Sequence, residues 1–431
     1  EINIKQLEDI KTFVDPNRNA EEHEDSLQRL LEDVQCKKLS LELIVKNMGE
    51  ALTSDDDLTR ARGISLIHEI LSKITTLELS PPNASTFAQF LAARLLDFPT
   101  VPNVIAAINS LVSHHRLFYQ VEGSPTNPDF IATAIFSELH IPSFRQPVRK
   151  LIYEILEKLL SLYPGAMKNI SRDFVVGVIQ AMDMEKDPRN LLISFELIRS
   201  TVATLPEFSE FTEELFEVIA CYFPISFKPD PSDPAAITKE DLEESLLRTM
   251  CCTADFAKYC IPFLLDRAQE VGPDEKLLVF QALAYCIEQY HNQFQYTVHT
   301  HPFQKEFGAI WSIYRMELSS PSSEEYHRDC LDTLISIVRS LSYNNVHTLD
   351  SGDSKEKSYV DSFLEPIIKD CSHQLASPDL DLATHNSIIL SACAMSAGQS
   401  GRKIINVSLP IAAQCFLAAA SPGDKLKTLR L

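Results

Sequence analysis

The chain has 431 residues, more than the ~250–300 at which one hydrophobic core stops growing, so several domains or a repeat array are expected. Apolar residues make up 45% and charged ones 23%, which excludes wholesale disorder, and 11 glycines are too few for a turn-rich β fold. A net charge of −21 disfavours nucleic acid or an anionic membrane as a direct partner, since both call for a basic surface.

The charge is uneven. Residues 1–57 carry 15 acids against 7 bases, and residues 205–250 carry 11 against 3. Between these stretches the apolar residues recur with a long period. From the helix expected near Asp55, the inward positions Ile64, Ile67 and Leu71 are spaced 0, 3, 7, one face of an α-helix. A step of 44 gives Ile108, Leu111 and His115; another 44 gives Ile152, Ile155 and Leu159; 43 more gives Phe195, Ile198 and Val202. The triplet returns at Phe280, Leu283, Ile287 and at Leu331, Leu334, Val338. Leu43, Phe87, Ile131 and Val175, also 44 apart, mark the partner helices.

A unit of about 44 residues made of two helices falls in the ~40–47 range of HEAT and armadillo repeats. Each pair has one apolar face and cannot bury it alone, so neighbours must stack. The expected fold is all-α, a HEAT-type α-solenoid running through residues 1–431 as a right-handed superhelical stack of antiparallel helix pairs. Second helices open with acids ahead of Arg60 and Arg62, or with Arg149, and such arginines can reach acids or carbonyls of the adjacent repeat.

Local signals agree. Asp187–Pro188 is a helix start, an Asp free to cap and a proline at the first helical position. Thr238 with Asp241 reads as a capping box. Between them, residues 224–237 form a proline-rich inserted loop, expected to be ordered through Phe223, Ile225 and Phe227. Residues 344–357, polar and glycine-containing, read as a mobile loop. Val407 to Ala420 reads as a core helix. The first residue is glutamate, not methionine, and the last stretch, with Leu426, Leu429 and Leu431, makes a poor polar cap, so further repeats are expected beyond the chain.

Chemistry is sparse. The ten cysteines sit singly on apolar faces without a Cys-x-x-Cys, the pattern of reduced, buried thiols and of a cytoplasmic or nuclear compartment. Adjacent Cys251 and Cys252 point about 100° apart on a helix and suit core packing better than shared ligation. His299 and His301 lack neighbouring carboxylates or thiols and read as a loop. Gly398-Gln-Ser-Gly401 has the wrong spacing for a phosphate loop and reads as a helix-to-helix turn. No catalytic residue, metal ligand or cofactor site emerges. One surface feature stands out. Phe208, Phe211, Leu215 and Ile219 form a core stripe, while Glu210, Glu213, Glu214 and Glu217 line another face at i, i+3, i+4, i+7. Like charges at i,i+4 cost ~0.2–0.5 kcal/mol each. The four glutamates are candidates for docking a basic partner segment, the competing reading being a solvated face.

The run Asp173-Phe-Val-Val-Gly-Val-Ile-Gln-Ala-Met-Asp, then Asp187-Pro-Arg-Asn-Leu-Leu, Glu213-Glu-Leu-Phe-Glu-Val and Cys221-Tyr-Phe-Pro-Ile-Ser-Phe-Lys-Pro, resembles the amino-terminal region of the Mms-nineteen (methyl-methanesulfonate sensitivity) family. Asp233-Pro, Ile237-Thr-Lys-Glu-Asp-Leu and Leu52-Thr-Ser-Asp-Asp-Asp-Leu-Thr-Arg-Ala-Arg-Gly extend the likeness over about residues 40–290, while Ala235-Ala236 depart from its pattern. The resemblance implies a non-enzymatic scaffold of the cytosolic iron–sulfur assembly targeting complex, working in cytoplasm and nucleus. Its partners would be the other targeting subunits, met mainly through carboxy-terminal repeats absent here, and apo iron–sulfur clients such as DNA helicases and polymerases. A general HEAT adaptor, for nuclear transport or phosphatase assembly, is the alternative.

Overall fold

The computed structural model describes residues 2–74, 77, 79–113, 128–229, 237–294, 303–320, 323–342, 359–377 and 379–419. They are mostly helical. His115, the loop with His299 and His301, residues 344–357, Ala235-Ala236 and the final leucines lie outside the described residues, as do residues 230–236 of the proline-rich insertion. The chain divides into two compact units, Glu1–Val218 with Phe227–Ser245, and Ile219–Ser226 with Leu246–Leu431.

The first unit contains α1 (Ile4–Val14), α2 (Ala20–Gln35), α3 (Leu41–Asn47), α4 (Gly49–Leu52), α5 (Asp57–Lys73), α6 (Pro81–Ala93) and α7 (Val101–Ser113). It continues with α8 (Asp129–Glu138), α9 (Gln146–Leu162), α10 (Pro164–Met167), α11 (Ser171–Met182) and α12 (Pro188–Thr204). Second helices form one layer, α5 on α7, α7 on α9 and α9 on α12; first helices form the other, α6 on α8 and α8 on α11. This is a HEAT-type solenoid stack.

The repeated triplets make its core. Ile67, Ile155, Ile198 and Leu111 have no exposed surface, and Ile64, Ile108, Ile152, Leu71, Leu159, Phe195 and Val202 are buried beside them. In the first-helix layer Phe87, Ile131 and Val175 are buried as the period requires. Leu43 is not: it is half-buried, while Leu41 and Ile44 point inward. Helix α3 has only 7 residues and breaks at Met48, so the phase of a longer helix does not carry through it.

Neighbouring first helices approach closely at Gly177 of α11. A Cβ there would lie 2.5 Å from the Phe136 ring of α8, so only glycine admits that ring, which also meets Phe174 edge-on at 5.5 Å. Polar side chains stitch the second-helix layer across the period. Asn103 Nδ2 donates to the Ala61 carbonyl at 2.7 Å, Lys158 Nζ to Asn109 Oδ1 at 2.8 Å, and Gln146 Nε2 to Asn190 Oδ1 at 2.8 Å.

Helices α13 (Thr212–Ala220) and α14 (Lys239–Met250) occupy the stretch where the two units divide. The capping box ahead of α14 is complete. Thr238 N donates to Asp241 at 2.9 Å, and Asp241 N donates to Thr238 Oγ1 at 3.0 Å. In the insertion, Phe223 and Ile225 are buried and Phe227 is half-buried.

The second unit contains α15 (Ala257–Glu270), α16 (Pro273–Phe294), α17 (Phe307–Ser319), α18 (Glu324–Ser342), α19 (Tyr359–Gln374), α20 (Leu380–Ser396) and α21 (Gly401–Ala418). Here α16, α18 and α20 stack as second helices, and α15, α17, α19 and α21 as first helices. Phe280, Leu283, Ile287, Leu331, Leu334 and Val338 are buried as the period predicts. Three first helices carry an internal proline, Pro262 in α15, Pro366 in α19 and Pro410 in α21. A short 3₁₀ turn, Gly398–Ser400, joins α20 to α21, with Gly398 at φ +54°.

Helix α21 is not the core helix its composition suggests. Only Gly401 and Ile404 are buried; Ile405, Val407, Leu409 and Leu417 are exposed, because no further described helix packs on its far side. The cysteines also divide. Six are buried, Cys252 and Cys415 are half-buried, and Cys36 and Cys221, at helix ends where the apolar face has already stopped, are exposed.

Candidate functional site

The acidic edge spans two different helices. Glu210 belongs to a 3₁₀ turn, Pro206–Phe211; Glu213, Glu214 and Glu217 belong to α13. All four are exposed. The 3.6-residue period does not run through the junction at Thr212. Phe208 and Phe211 are accordingly half-exposed and not core, and α13 instead buries Thr212, Leu215, Phe216, Ile219 and Ala220.

The start of α11 holds this turn. Ser171 Oγ donates a short hydrogen bond to Glu207, whose carboxyl that bond holds below its ordinary range. Arg172 pairs with Glu210 at 2.5 Å and lies over the Phe211 ring, 5.2 Å from its centroid. Both partners are more than half exposed, so the pair is a weak one. Glu210 therefore has a cation of its own, while Glu213, Glu214 and Glu217 have no ion-pair partner among the described residues.

Two arginine clamps sit at the turns that join first to second helices. Arg60 of α5 donates Nε and Nη2 to the two oxygens of Asp97 at 2.8 and 2.9 Å, and Nη1 to the Ser54 carbonyl. Arg149 of α9 holds Glu185 the same way, with Nη1 on the Phe144 carbonyl. Arg62 adds a third link, donating to the Phe13 carbonyl at 2.5 Å with its guanidinium 4.8 Å above the Phe13 ring. The expectation that these arginines reach acids and carbonyls of adjacent repeats holds at all three.

Glu185 is the most enclosed charge in the first unit. Besides Arg149 it accepts from the backbone N–H groups of Lys186 and Asp187, from Asn190 Nδ2 and from the Tyr153 hydroxyl. Burial alone would push its carboxyl up. The guanidinium, the two N–H groups and the Asn190 amide outweigh that and hold it at about 2. Every lone pair is engaged, so this is a structural hub, although a cavity of about 140 Å³ opens beside it.

Sequence reasoning missed one surface. Leu58, Leu96, Phe98 and Met184 are 63%, 74%, 66% and 73% exposed, at or just before the starts of the second helices α5, α7 and α12. Phe98 shields the Phe144 ring at 5.4 Å, and Met184 is held at φ +59°. The signal was available as apolar residues out of phase with the triplets at helix starts.

Among the described residues no group of three or more His, Cys, Asp or Glu side chains is placed to hold a metal ion. Cys251 is buried and Cys252 half-buried; Cys260 and Cys286 touch at 3.8 Å within the core. No single described helix is long and apolar enough to cross a membrane.

Residues 45–320 match the family described as Dos2-interacting transcription regulator of RNA-Pol-II, MMS19 amino-terminal region. The chain belongs to the MMS19 family. It is 32% identical over 401 residues to the MMS19 nucleotide excision repair protein homolog of Dictyostelium discoideum, covering 93% of this chain and 34% of that protein. The Homo sapiens homolog is 30% identical over 385 residues, 89% of this chain and 35% of that protein. The Arabidopsis thaliana homolog is 29% identical over 356 residues, 77% of this chain and 30% of that protein. The chain thus spans about a third of the length of these MMS19 relatives. In fold it is similar to the karyopherin Kap121p, at 12% identity and a TM-score of 0.50 over 99% of this chain and 44% of that one. That likeness concerns the helical stack alone. The clamps and the acidic edge, residues 60–217, lie inside the stretch that matches the MMS19 family.

Proposed function

We propose that this chain is a client-recruiting part of a scaffold for cytosolic iron–sulfur protein assembly. The observation that carries the reading is membership of the MMS19 family, supported over 93% of the chain by the Dictyostelium relative. Relatives are named for nucleotide excision repair, and the family is described as a transcription regulator. An adaptor that brings clusters to DNA helicases, polymerases and related enzymes accounts for both descriptions. Stacked helix pairs suit the task, because they present long side-chain surfaces without a catalytic constellation.

On this reading the chain is no enzyme, binds no cofactor of its own, and meets neither nucleic acid nor membrane directly, in keeping with its net charge of −21. Its partners are apo clients and, mainly through repeats beyond this chain, the other subunits of the targeting complex, in cytoplasm and nucleus. Glu213, Glu214 and Glu217, with Glu210 beside them, offer a docking edge for basic client segments. The test is affinity purification of the full-length protein with mass spectrometry. Recovery of targeting subunits and apo iron–sulfur enzymes is expected; recovery of transport cargo or phosphatase subunits in their place overturns the reading. Metal analysis of the purified chain should find no stoichiometric metal.

A further inference from the structure

His327 of α18 and His385 of α20 meet where these two second helices stack, with ring centroids 4.8 Å apart and planes at 57°. Each Nε2 is sealed from solvent, and neither has a hydrogen-bond partner among the described residues. A sealed imidazole nitrogen without a partner is tolerable as a neutral lone pair. As an N–H of a cation it is costly, because a buried donor and a charge would both go unanswered. A second cation on the facing ring adds repulsion between rings whose centroids are only 4.8 Å apart.

The charges on the surrounding helices do not offset this. Lys276 of α16 and Glu317 of α17 pair with each other, and Tyr326 donates to Glu317. Arg315 of α17 pairs with Asp370 of α19, and Lys403 of α21 with Asp361. Glu324 and Arg328 of α18, Asp381 of α20, His373 of α19 and Arg402 of α21 are exposed. Burial lowers the proton affinity of His327, and burial together with the facing His327 lowers that of His385; no carboxylate raises either.

We propose that the His327–His385 contact is an acid-sensitive joint between consecutive helix pairs, packed while both rings are neutral and forced apart when both are charged. The direction follows from linkage. With both rings resisting protonation in the folded state, the unfolded or opened chain binds more protons just below the ordinary imidazole value of 6.5, so stability falls as pH falls through that window. Mildly acidic conditions would loosen α18 from α20 while the first unit stays folded.

Hydrogen–deuterium exchange of the 431-residue chain tests this, with rates corrected for the intrinsic effect of pH. Amides of α18 and α20 should open on the order of tenfold faster at pH 5.5 than at pH 7.5. The double variant H327Q/H385Q should lose that acceleration. Equal acceleration in both proteins overturns the proposal. Should the double variant not fold, ring-proton NMR of the native chain decides, with H327Q and H385Q singly used for assignment. Both midpoints should lie below 6.5, and H327Q should raise that of His385. A midpoint at or above 6.5 for either ring overturns it.

Discussion

Arg149 grips Glu185 from 36 residues away, its Nε and Nη2 donating to separate carboxylate oxygens at 2.8 and 2.7 Å while Glu185 has no exposed side-chain surface. Charge pairs this enclosed are worth less as a pair than they cost to break, because the survivor stays buried without a counter-charge.

Glu185→Gln should therefore destabilise the first unit by ~3 kcal/mol at neutral pH, measured by denaturant unfolding. The wild-type chain should also show an acid-dependent loss. The folded carboxyl sits at about 2 against an ordinary 4.5, so its contribution is present above 4.5 and disappears as pH falls toward 2. That amounts to ~3 kcal/mol. In the Gln variant this part of the acid loss should be missing; an unchanged acid profile would show that Glu185 is not the group responsible.

Gly177→Ala should run against the usual rule. In a helix interior the exchange normally gains ~1 kcal/mol. Here the new methyl meets the Phe136 ring at 2.5 Å, and overpacking costs ~1–3 kcal/mol. Thermal unfolding should show a lower midpoint, and G177A paired with F136A should recover part of it.

Ile155→Ala and Phe98→Ser separate core from edge. Ile155 is wholly buried, so its truncation should cost ~2–5 kcal/mol. Phe98 is 66% exposed, and its replacement should cost little beyond the shielding of Phe144, about 0.5 kcal/mol. Similar losses for the two would mean that the triplets do not define the core.

Glu213, Glu214 and Glu217 changed together to Lys should slow client association, and the wild-type association rate should fall with salt, because exposed charges are screened over ~8 Å at physiological ionic strength. Glu210→Lys alone should do less to binding, since Arg172 already answers that charge. Surface plasmon resonance at two ionic strengths, with circular dichroism to confirm helicity, measures both. Client association unaffected by the triple change would leave this edge a solvated face.

Much of the fold was legible because every repeat must bury the same three positions on a second helix, and a period of 44 survives in residues as separated as Ile64 and Phe195. Legibility failed where a helix is too short to keep phase. Leu43 and Phe211 each lie beside a break, at Met48 and at Thr212, that a 3.6-residue count cannot see. The acidic edge was visible as a row of charges, but not that Arg172 would take one of them, because that partner comes from another helix. The His327–His385 contact left no local trace. The two residues are far apart in the chain, and each alone looks like an ordinary helical histidine.

The internal prolines of the second unit set an order in which it comes apart. Each removes one backbone bond from its own helix and strains the turn before it, at ~3 kcal/mol in an unsupported helix. Pro262, Pro366 and Pro410 all fall on first helices, while the second helices α16, α18 and α20 have unbroken backbones. Heating or pulling should consequently fray the proline-bearing layer first and leave the other as a ribbon of three stacked rods. A protease added at the onset of melting should cut within α15, α19 and α21 before it reaches their partners.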